Sequence, residues 1–351
     1  MMRRRSGLDF LTGFVLLSCS VSFIICPSTA SPLPNILWII ADDFGYNDMG
    51  LHNRHNEHLI LTPTLDSLAS SPHGRLLENS YSQPICSPTR SQLLTGLYQI
   101  HTGLQHGVIW PAQPNGIPET TPTIADKMRQ QGYATHAIGK WHVGFFTKAH
   151  TPLARGFDSF FGFWGGGEDY YTHVTAKGFD FRRNNDTFWA AQGNYSTTLF
   201  SQQAEHVIRQ HAAKQQQQHE EEEDPQPLFL YLAYQATHAP LQAPQQYVDE
   251  CAHVQDKNRQ VFCAMALCMD EGVMNITNAL KETGIYNNTV IFFTGDNGGQ
   301  VCVCRRAAAF VRHLQLSFAL VSRTLCPGTC WRKQLATPRM ERQLLRRWSP
   351  R

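Results

Sequence analysis

Cys86-Ser87-Pro88-Thr89-Arg90, continued by Ser91-Gln92-Leu93-Leu94-Thr95-Gly96, is the stretch on which the reading of this chain turns. Pro88 sits where it can begin a helix that runs to about Leu97. The cysteine and the arginine would then lie at a helix N-terminus, where backbone N–H groups favour anions. An isolated cysteine in an exported chain reads as a structural thiol or half a disulfide. A thiolate phosphatase loop also combines cysteine with arginine, but it spaces them wider and is rich in glycine. The surroundings of the pentapeptide decide between these readings.

Four short apolar runs read as buried strands, and each ends in a polar cluster. Asn35 to Ala41 ends at Asp42-Asp43, and Ala134 to Ile138 ends near Lys140 and His142. Leu228 to Tyr234 ends near His238, and Thr289 to Thr294 ends at Asp296-Asn297. Open α/β sheets place their ligands at the carboxyl ends of such strands. Between the strands, Thr62-Pro63-Thr64 opens a helix with threonine as cap and proline in its first turn. Lys257 to Thr283 reads as a long amphipathic helix. His211 to Pro227, with Gln215 to Gln218 and Glu220 to Glu223, reads as a low-complexity, solvated loop, with a metal-binding role for its histidine and glutamates the weaker reading. Asp42-Asp43 with Asp296-Asn297 offers carboxylates and an amide carbonyl, the oxygen ligands a hard divalent cation takes. Asp-Asn-Gly-Gly alone is usually a turn.

The pentapeptide with its leucine-rich continuation resembles the sulfatase signature. The resemblance is close over about residues 34–300. Gly139-Lys140-Trp141-His142, Gln99 to His106, Arg155 to Asp158, Glu168 to Tyr171 and Gln255 to Arg259 all look like the arylsulfatase B, I and J branch of that family. It implies an alkaline-phosphatase-like α/β fold, with a central mixed sheet flanked by helices. It also implies that Cys86 is oxidised to Cα-formylglycine by the formylglycine-generating enzyme. One hydroxyl of the hydrated aldehyde attacks sulfur; the second lets sulfate leave by collapse to the aldehyde. Asp42, Asp43, Asp296, Asn297 and the modified position 86 would ligate one calcium ion, with magnesium as the alternative. Lys140 would pair with sulfate oxygens, and His142 would take the proton from the second hydroxyl. His238 would contact the ester oxygen and protonate the leaving alcohol, and Arg90 would hold the formylglycine. The implied substrate is a sulfated glycosaminoglycan of the N-acetylgalactosamine 4-sulfate type or another sulfate ester. The paired cysteines that relatives carry near Trp110 to Gly116 are absent.

The chain has 351 residues, enough for one large α/β domain. Arg3 to Arg5, the apolar run from Phe10 to Cys26 and Ser28-Thr29-Ala30 read as a signal peptide over residues 1–30. No later stretch is long and apolar enough for a membrane span. The expected destination is the secretory pathway, with the lysosome first and secretion or endoplasmic-reticulum retention as alternatives. Four N-x-S/T sequons, at Asn185, Asn194, Asn275 and Asn287, predict glycosylated surface loops. Ten cysteines permit disulfides, but spacing alone assigns no pairing. The formal net charge of +2 conceals an acidic body and a basic tail: residues 301–351 hold 11 Lys and Arg against Glu341 alone. The total is therefore no sign of nucleic-acid binding.

After Gln300 the family pattern stops, and Val301 to Arg351 read as a divergent tail following a C-terminally shortened domain. An alternative splice, a retained intron or a gene-model error would each produce such a junction. The family's second active-site lysine would fall beyond it, and losing such a charge-stabilising group slows chemistry about a hundred- to a thousand-fold. The alternative reading is thus a catalytically inactive isoform that binds ligand or the modifying enzyme. A phosphatase or phosphodiesterase of the same fold would use serine or threonine and usually two zinc ions. Cys86 and the oxygen ligand set argue against that third class.

Overall fold

In the computed structural model, strand β1 (Asn35–Ala41) runs through the middle of a nine-stranded sheet. The structure describes residues 33–53, 60–111, 113–175, 178–221 and 224–299, and the backbone of Ala319–Arg323. The expected signal peptide and most of the basic tail lie outside these residues. The other strands are β2 (Gly74–Leu77), β3 (Ala134–Lys140), β4 (Ser159–Phe163), β5 (Val174–Thr175), β6 (Gly178–Phe179), β7 (Arg182–Arg183), β8 (Asp186–Thr187), β9 (Leu228–Ala233), β10 (Thr289–Gly295) and β11 (Ala319–Arg323). The helices are α1 (Pro63–Ser70), α2 (Cys86–Thr95), α3 (Gln99–Thr102), α4 (Ile124–Gln130), α5 (Ser196–Glu220), α6 (Gln245–Glu250) and α7 (Lys257–Glu282).

The sheet order is β2-β11-β10-β1-β9-β3-β4-β7-β8. The five strands from β10 to β4 are parallel, and the antiparallel pairs β11–β2 and β7–β8 flank them. The mixed sheet follows the sequence expectation, and β11 adds to it a strand from the segment read as an unrelated tail. Parallel pairing brings all five strand ends to the same edge, which is why the polar clusters meet.

Residue alternation sets the two faces. On β1, Leu37, Ile39 and Ala41 pack with α1, α5 and α7; Ile36, Trp38 and Ile40 face the side of α2 and α4. On β9, Leu228, Leu230 and Leu232 join the first core, and Phe229, Tyr231 and Ala233 the second. Strands buried on both faces carry apolar residues at every position, which is why these runs were continuous in sequence. Gly139 closes the approach of the central strands. A Cβ there would stand 1.9 Å from the Ala233 carbonyl oxygen, and its φ of +96° suits glycine.

Two local expectations change. Residues 211–220 are not a loop: α5 continues unbroken through Gln215 to Gln218 to Glu220. Gln, Glu and Lys propagate a helix well, and no breaker appears before Pro225. His211 is buried and donates from Nε2 to the Gln226 carbonyl, tying the helix to the strand that follows. Thr62 sits at the start of α1, but its hydroxyl donates to Asp66 and accepts from the Gly50 amide rather than capping. The cap comes from α7: the Asp270 carboxylate accepts from the amides of Thr64 and Leu65 at 2.8 and 2.9 Å.

A disulfide joins Cys251 to Cys263, and Cys86 and Cys268 are free among the described cysteines. Asn194 and Asn287 are exposed and Asn185 lies in the β7–β8 turn, whereas Asn275 sits within α7 rather than in a surface loop. No helix of the described residues is long and apolar enough to cross a membrane.

Burial pushes the Asp270 carboxyl up to about 6, against the pull of the two α1 amides. Its ordinary value in an unfolded chain is about 3.9. Between those values the folded state holds the proton more tightly, so this group's contribution to stability falls as pH rises through that window. Asp270→Asn cannot titrate. The stability of the native protein relative to this variant is therefore expected to decline from pH 4 to pH 7. Denaturant unfolding of both proteins across that range measures it, and a difference that grows with pH would contradict the account.

Candidate active site

Cys86 is the first residue of α2, and Ile85 before it is extended with no side-chain cap. The helix starts two residues earlier than Pro88 alone predicts. Cys86 to Ser91 are all buried, so this polar helix is held by its surroundings rather than by an apolar stripe. Ser87 Oγ accepts from the Ile109 amide, and Thr89 Oγ1 donates to the Gln83 carbonyl. Gly96, at φ +69°, ends the helix.

Strand ends deliver the remaining groups. Asp42 and Asp43 follow β1; the Asp42 amide donates to the Ala236 carbonyl, and Thr237 N donates back to the Asp42 carbonyl at 2.6 Å. Asp296 follows β10 and donates its amide to the Ala41 carbonyl. Lys140 closes β3, and His142 N donates to Trp164 O. Asp43 and His142 have φ of +52° and +57°, the left-handed region that residues with a Cβ adopt sparingly. Such conformations gather at sites where the surroundings enforce them.

A buried charge network occupies the floor. Lys140 Nζ lies 2.5 Å from Asp42 Oδ2, and the Arg90 guanidinium reaches Asp42 Oδ1 at 3.3 Å and Asp296 Oδ2 at 3.0 Å. Arg90 also donates to the Lys140 carbonyl. Burial pushes the Asp42 carboxyl up, but the charges of Lys140, His238 and Arg90 outweigh it and hold Asp42 below its ordinary value. For Lys140 burial favours the neutral amine, and Asp42 reverses it, so its pKa is raised. Asp296 is held up at about 6 by burial and by the neighbouring Asp42 charge.

Two of the expected ligand residues group with Cys86, and Asp296 and Asn297 join them through hydrogen bonds to Asp43. Asp42, Asp43 and Cys86 offer ligand atoms within 4.8 Å of one another. The Asp43 amide donates to Asp296 Oδ1, and Asn297 Nδ2 donates to Asp43 Oδ1 at 2.7 Å. Asn297 Oδ1 is buried with no hydrogen-bond partner. Three carboxylates face only Arg90 and Lys140 as fixed cations here. A surplus of negative charge and an unpartnered amide oxygen fit a divalent metal ion.

The two histidines differ. His142 Nε2 points at the Ile109 carbonyl at 3.1 Å, which can only accept, so Nε2 carries the proton. Its Nδ1 is buried without a partner. Burial first, then the charges of Lys140 and Arg90, hold its pKa well below the ordinary value, so the ring is neutral. His238 is more open: Nδ1 donates to Ala239 O at 2.6 Å, and Nε2 lies 3.8 Å from Asp43 Oδ2.

A cleft of about 520 Å³ opens over Cys86, His142 and His238, walled by Ile109, Trp110 and the last two residues of the glycine run 165–167. Of the residues singled out from the sequence, Cys86, His142 and His238 line this cleft, Arg90, Lys140 and Asp296 belong to the buried network that reaches Cys86 through Asp42, and Asp43 lines a separate pocket with Thr237 and Ala239. The glycine run was missed. A Cβ on Gly166 would stand 2.5 Å from His142 Nε2, and one on Gly167 would stand 3.1 Å from His238 Cε1. Glu168 behind them pairs with His173 Nδ1 at 2.8 Å, and burial raises its carboxyl well above the ordinary range. Three successive glycines after an apolar strand were the available signal.

The sulfatase family model matches residues 34–310. The chain belongs to the sulfatase family. It is 45% identical over 274 residues to mouse arylsulfatase J, covering 76% of this chain and 43% of that protein. It is 30% identical over 295 residues to human N-acetylgalactosamine-6-sulfatase, covering 77% and 51%. The crystal structure of Ps i-CgsB in complex with k-i-k-neocarrahexaose superposes with a TM-score of 0.70 at 28% identity, over 83% of this chain and 66% of that one. The chain spans about half the length of the curated relatives it matches. The family match runs ten residues beyond Gln300, where the motif resemblance stopped.

Gly166→Ala is expected to push the His142 ring off Ile109 and to cost about 1–3 kcal/mol, because the ring that the new methyl meets is buried and hydrogen-bonded. Histidine side-chain NMR should show loss of the Nε2–H protection of His142, with a lowered unfolding midpoint. An unchanged His142 signal would mean that the glycine is not needed for space.

Proposed function

We propose that the cleft hydrolyses sulfate esters, with Cys86 converted to formylglycine by the formylglycine-generating enzyme and one calcium ion held by Asp42, Asp43, Asp296 and Asn297. The observation that carries this reading is Cys86 at the N-terminus of α2, 3.7 Å from Asp42 Oδ1 and grouped with Asp42 and Asp43 so that their ligand atoms lie within 4.8 Å of one another. Formylglycine supplies an oxygen nucleophile with a second hydroxyl for release, and calcium would polarise that oxygen. Burial pushes the thiol of unmodified Cys86 upward, with Asp42 and Asp296 adding to the shift and Lys140 and Arg90 opposing it. A neutral thiol is a poor nucleophile, which speaks against a thiolate phosphatase.

The geometry supports the remaining proposed roles. Arg90 is clamped between Asp42 and Asp296 and holds the nucleophile's floor rigid. Lys140 rests on Asp42 and would turn its positive charge to sulfate oxygens in the cleft. His142, neutral with Nδ1 bare, accepts the proton that permits sulfate release. His238 stands at the more open side, where the leaving alcohol would depart, and can donate from its ring to the ester oxygen. A sulfated glycosaminoglycan is the proposed substrate class, in line with the relative named N-acetylgalactosamine-6-sulfatase. The Cys251–Cys263 disulfide supports passage through the secretory pathway, with the lysosome as proposed destination. Asn194 and Asn287 are the exposed glycosylation candidates, and Asn185 is half-buried in the β7–β8 turn.

Three measurements on the 351-residue chain test this. Peptide mass spectrometry of chain secreted by cells that modify other sulfatases should find the aldehyde or its hydrate at position 86; an unmodified thiol would remove the nucleophile. Calorimetric titration should find one calcium, lost in Asp296→Ala. Initial rates on an aryl sulfate should fall to background in Cys86→Ala, and equal rates would place the chemistry elsewhere.

A further inference from the structure

A second cavity, of about 320 Å³, lies away from the catalytic cleft, between α5 and one face of the β3–β4 pair. A water molecule takes about 30 Å³, so the space admits a small ligand. The lining of this cavity is unusual for a helix on a sheet, where the inward stripe is normally apolar. Gln203, His206, Gln210, His211 and Lys214 of α5 recur at three- and four-residue spacing and all line it. Opposite them stand His136 and Ser159, directly paired across β3 and β4, and Arg183 from β7. No acidic side chain is among the lining residues.

The groups around it are arranged as a receptor rather than left loose. His136 Nδ1 and Ser159 Oγ share a hydrogen bond of 2.7 Å. The Arg183 guanidinium sits over the Phe188 ring at 4.1 Å and the Phe161 ring at 5.5 Å, which fixes its position without a carboxylate partner. The acid that acts on His136 is Asp158, whose carboxylate is engaged by the Thr135 amide. Burial holds the His136 and His211 rings toward their neutral form, and the charge of Lys214 adds to that, with no lining carboxylate to balance the lysine. An anion would supply that balance.

We propose that the cavity between α5 and strands β3, β4 and β7 binds a tetrahedral oxyanion, sulfate or phosphate, through Lys214, Arg183 and the His136 and His206 imidazoles. Arg183 and Lys214 supply the permanent charge; His206 and the hydrogen-bonded His136–Ser159 pair, which keeps one proton to give, supply directional donors. The volume beyond the anion, over Ile138 and Val207, accommodates the carrier of an ester. His136 lies four residues before Lys140 on β3, about 13 Å along the strand. The site is thus separate from the cleft and does not depend on hydrolysis there.

The test is histidine side-chain NMR on the full chain, titrated with sodium sulfate, sodium phosphate and a monosulfated N-acetylhexosamine at constant ionic strength, with chloride as control. Saturable shifts at His136 and His206 are expected, unaltered by Cys86→Ala, which disables only the cleft. Arg183→Gln with Lys214→Gln should weaken binding at least about ten-fold, the loss of about 1.4 kcal/mol. Both positions are exposed, and Lys214→Gln alone provides the same reading should the pair fail to fold. A sulfated sugar that binds more tightly than inorganic sulfate identifies an ester as the ligand; equal affinities identify the free ion. Shifts that never saturate, that chloride reproduces, that survive the double substitution, or that vanish in Cys86→Ala overturn the proposal.

Discussion

The Asp42 carboxylate is the interaction on which the site depends. One oxygen is taken by Lys140 and the other by Arg90, with every side chain fully buried. Charges removed from water to this degree persist only when paired, and removing one partner strands the others at a cost of about 3–5 kcal/mol. The pairing also crosses the fold: β1 contributes Asp42, β3 Lys140, α2 Arg90 and β10 Asp296. None of these elements can shift in register without separating a buried ion pair. The network therefore fixes the cleft's floor as well as its charge.

Above that floor the site is asymmetric. His142 is sealed, neutral and pinned by a carbonyl, while His238 stands at the open side beside Asp43. Glycines 166 and 167 permit both arrangements by bringing bare backbone against the two rings. A proton acceptor protected from water and a proton donor near the exit are what stepwise ester cleavage requires. The same backbone run leads into Glu168, whose side chain is buried against His173 on the far side of the loop.

Much of this was legible in the sequence. The four parallel strands were readable because strands buried on both faces are continuously apolar, and their bounds agree with the observed elements to within two residues. The site residues were readable because each follows such a strand. What escaped was set by contacts across the chain. Thr62 carries a capping signal, yet the cap is delivered by Asp270, more than two hundred residues away. The glutamine run after His211 has the composition of a solvated loop. It is helical because the apolar face from Phe200 to Ala212 had already nucleated α5 against the sheet. Likewise, no spacing rule paired Cys251 with Cys263; the turn between α6 and α7 brings them together.

The composition of the sheet's margins has a consequence for colloidal behaviour. A long, flat outer strand displays a row of free amides and carbonyls and invites another chain to pair with it. Among the described residues the outermost strands are β2, with four residues, and β8, with two, and both are antiparallel additions to the parallel centre. The strongly apolar strands β1, β9 and β3 lie at least two places inside either margin. Among the described residues, strand addition at this sheet is thereby confined to stretches too short to hold a partner, and its most apolar strands are those least able to meet a copy of themselves.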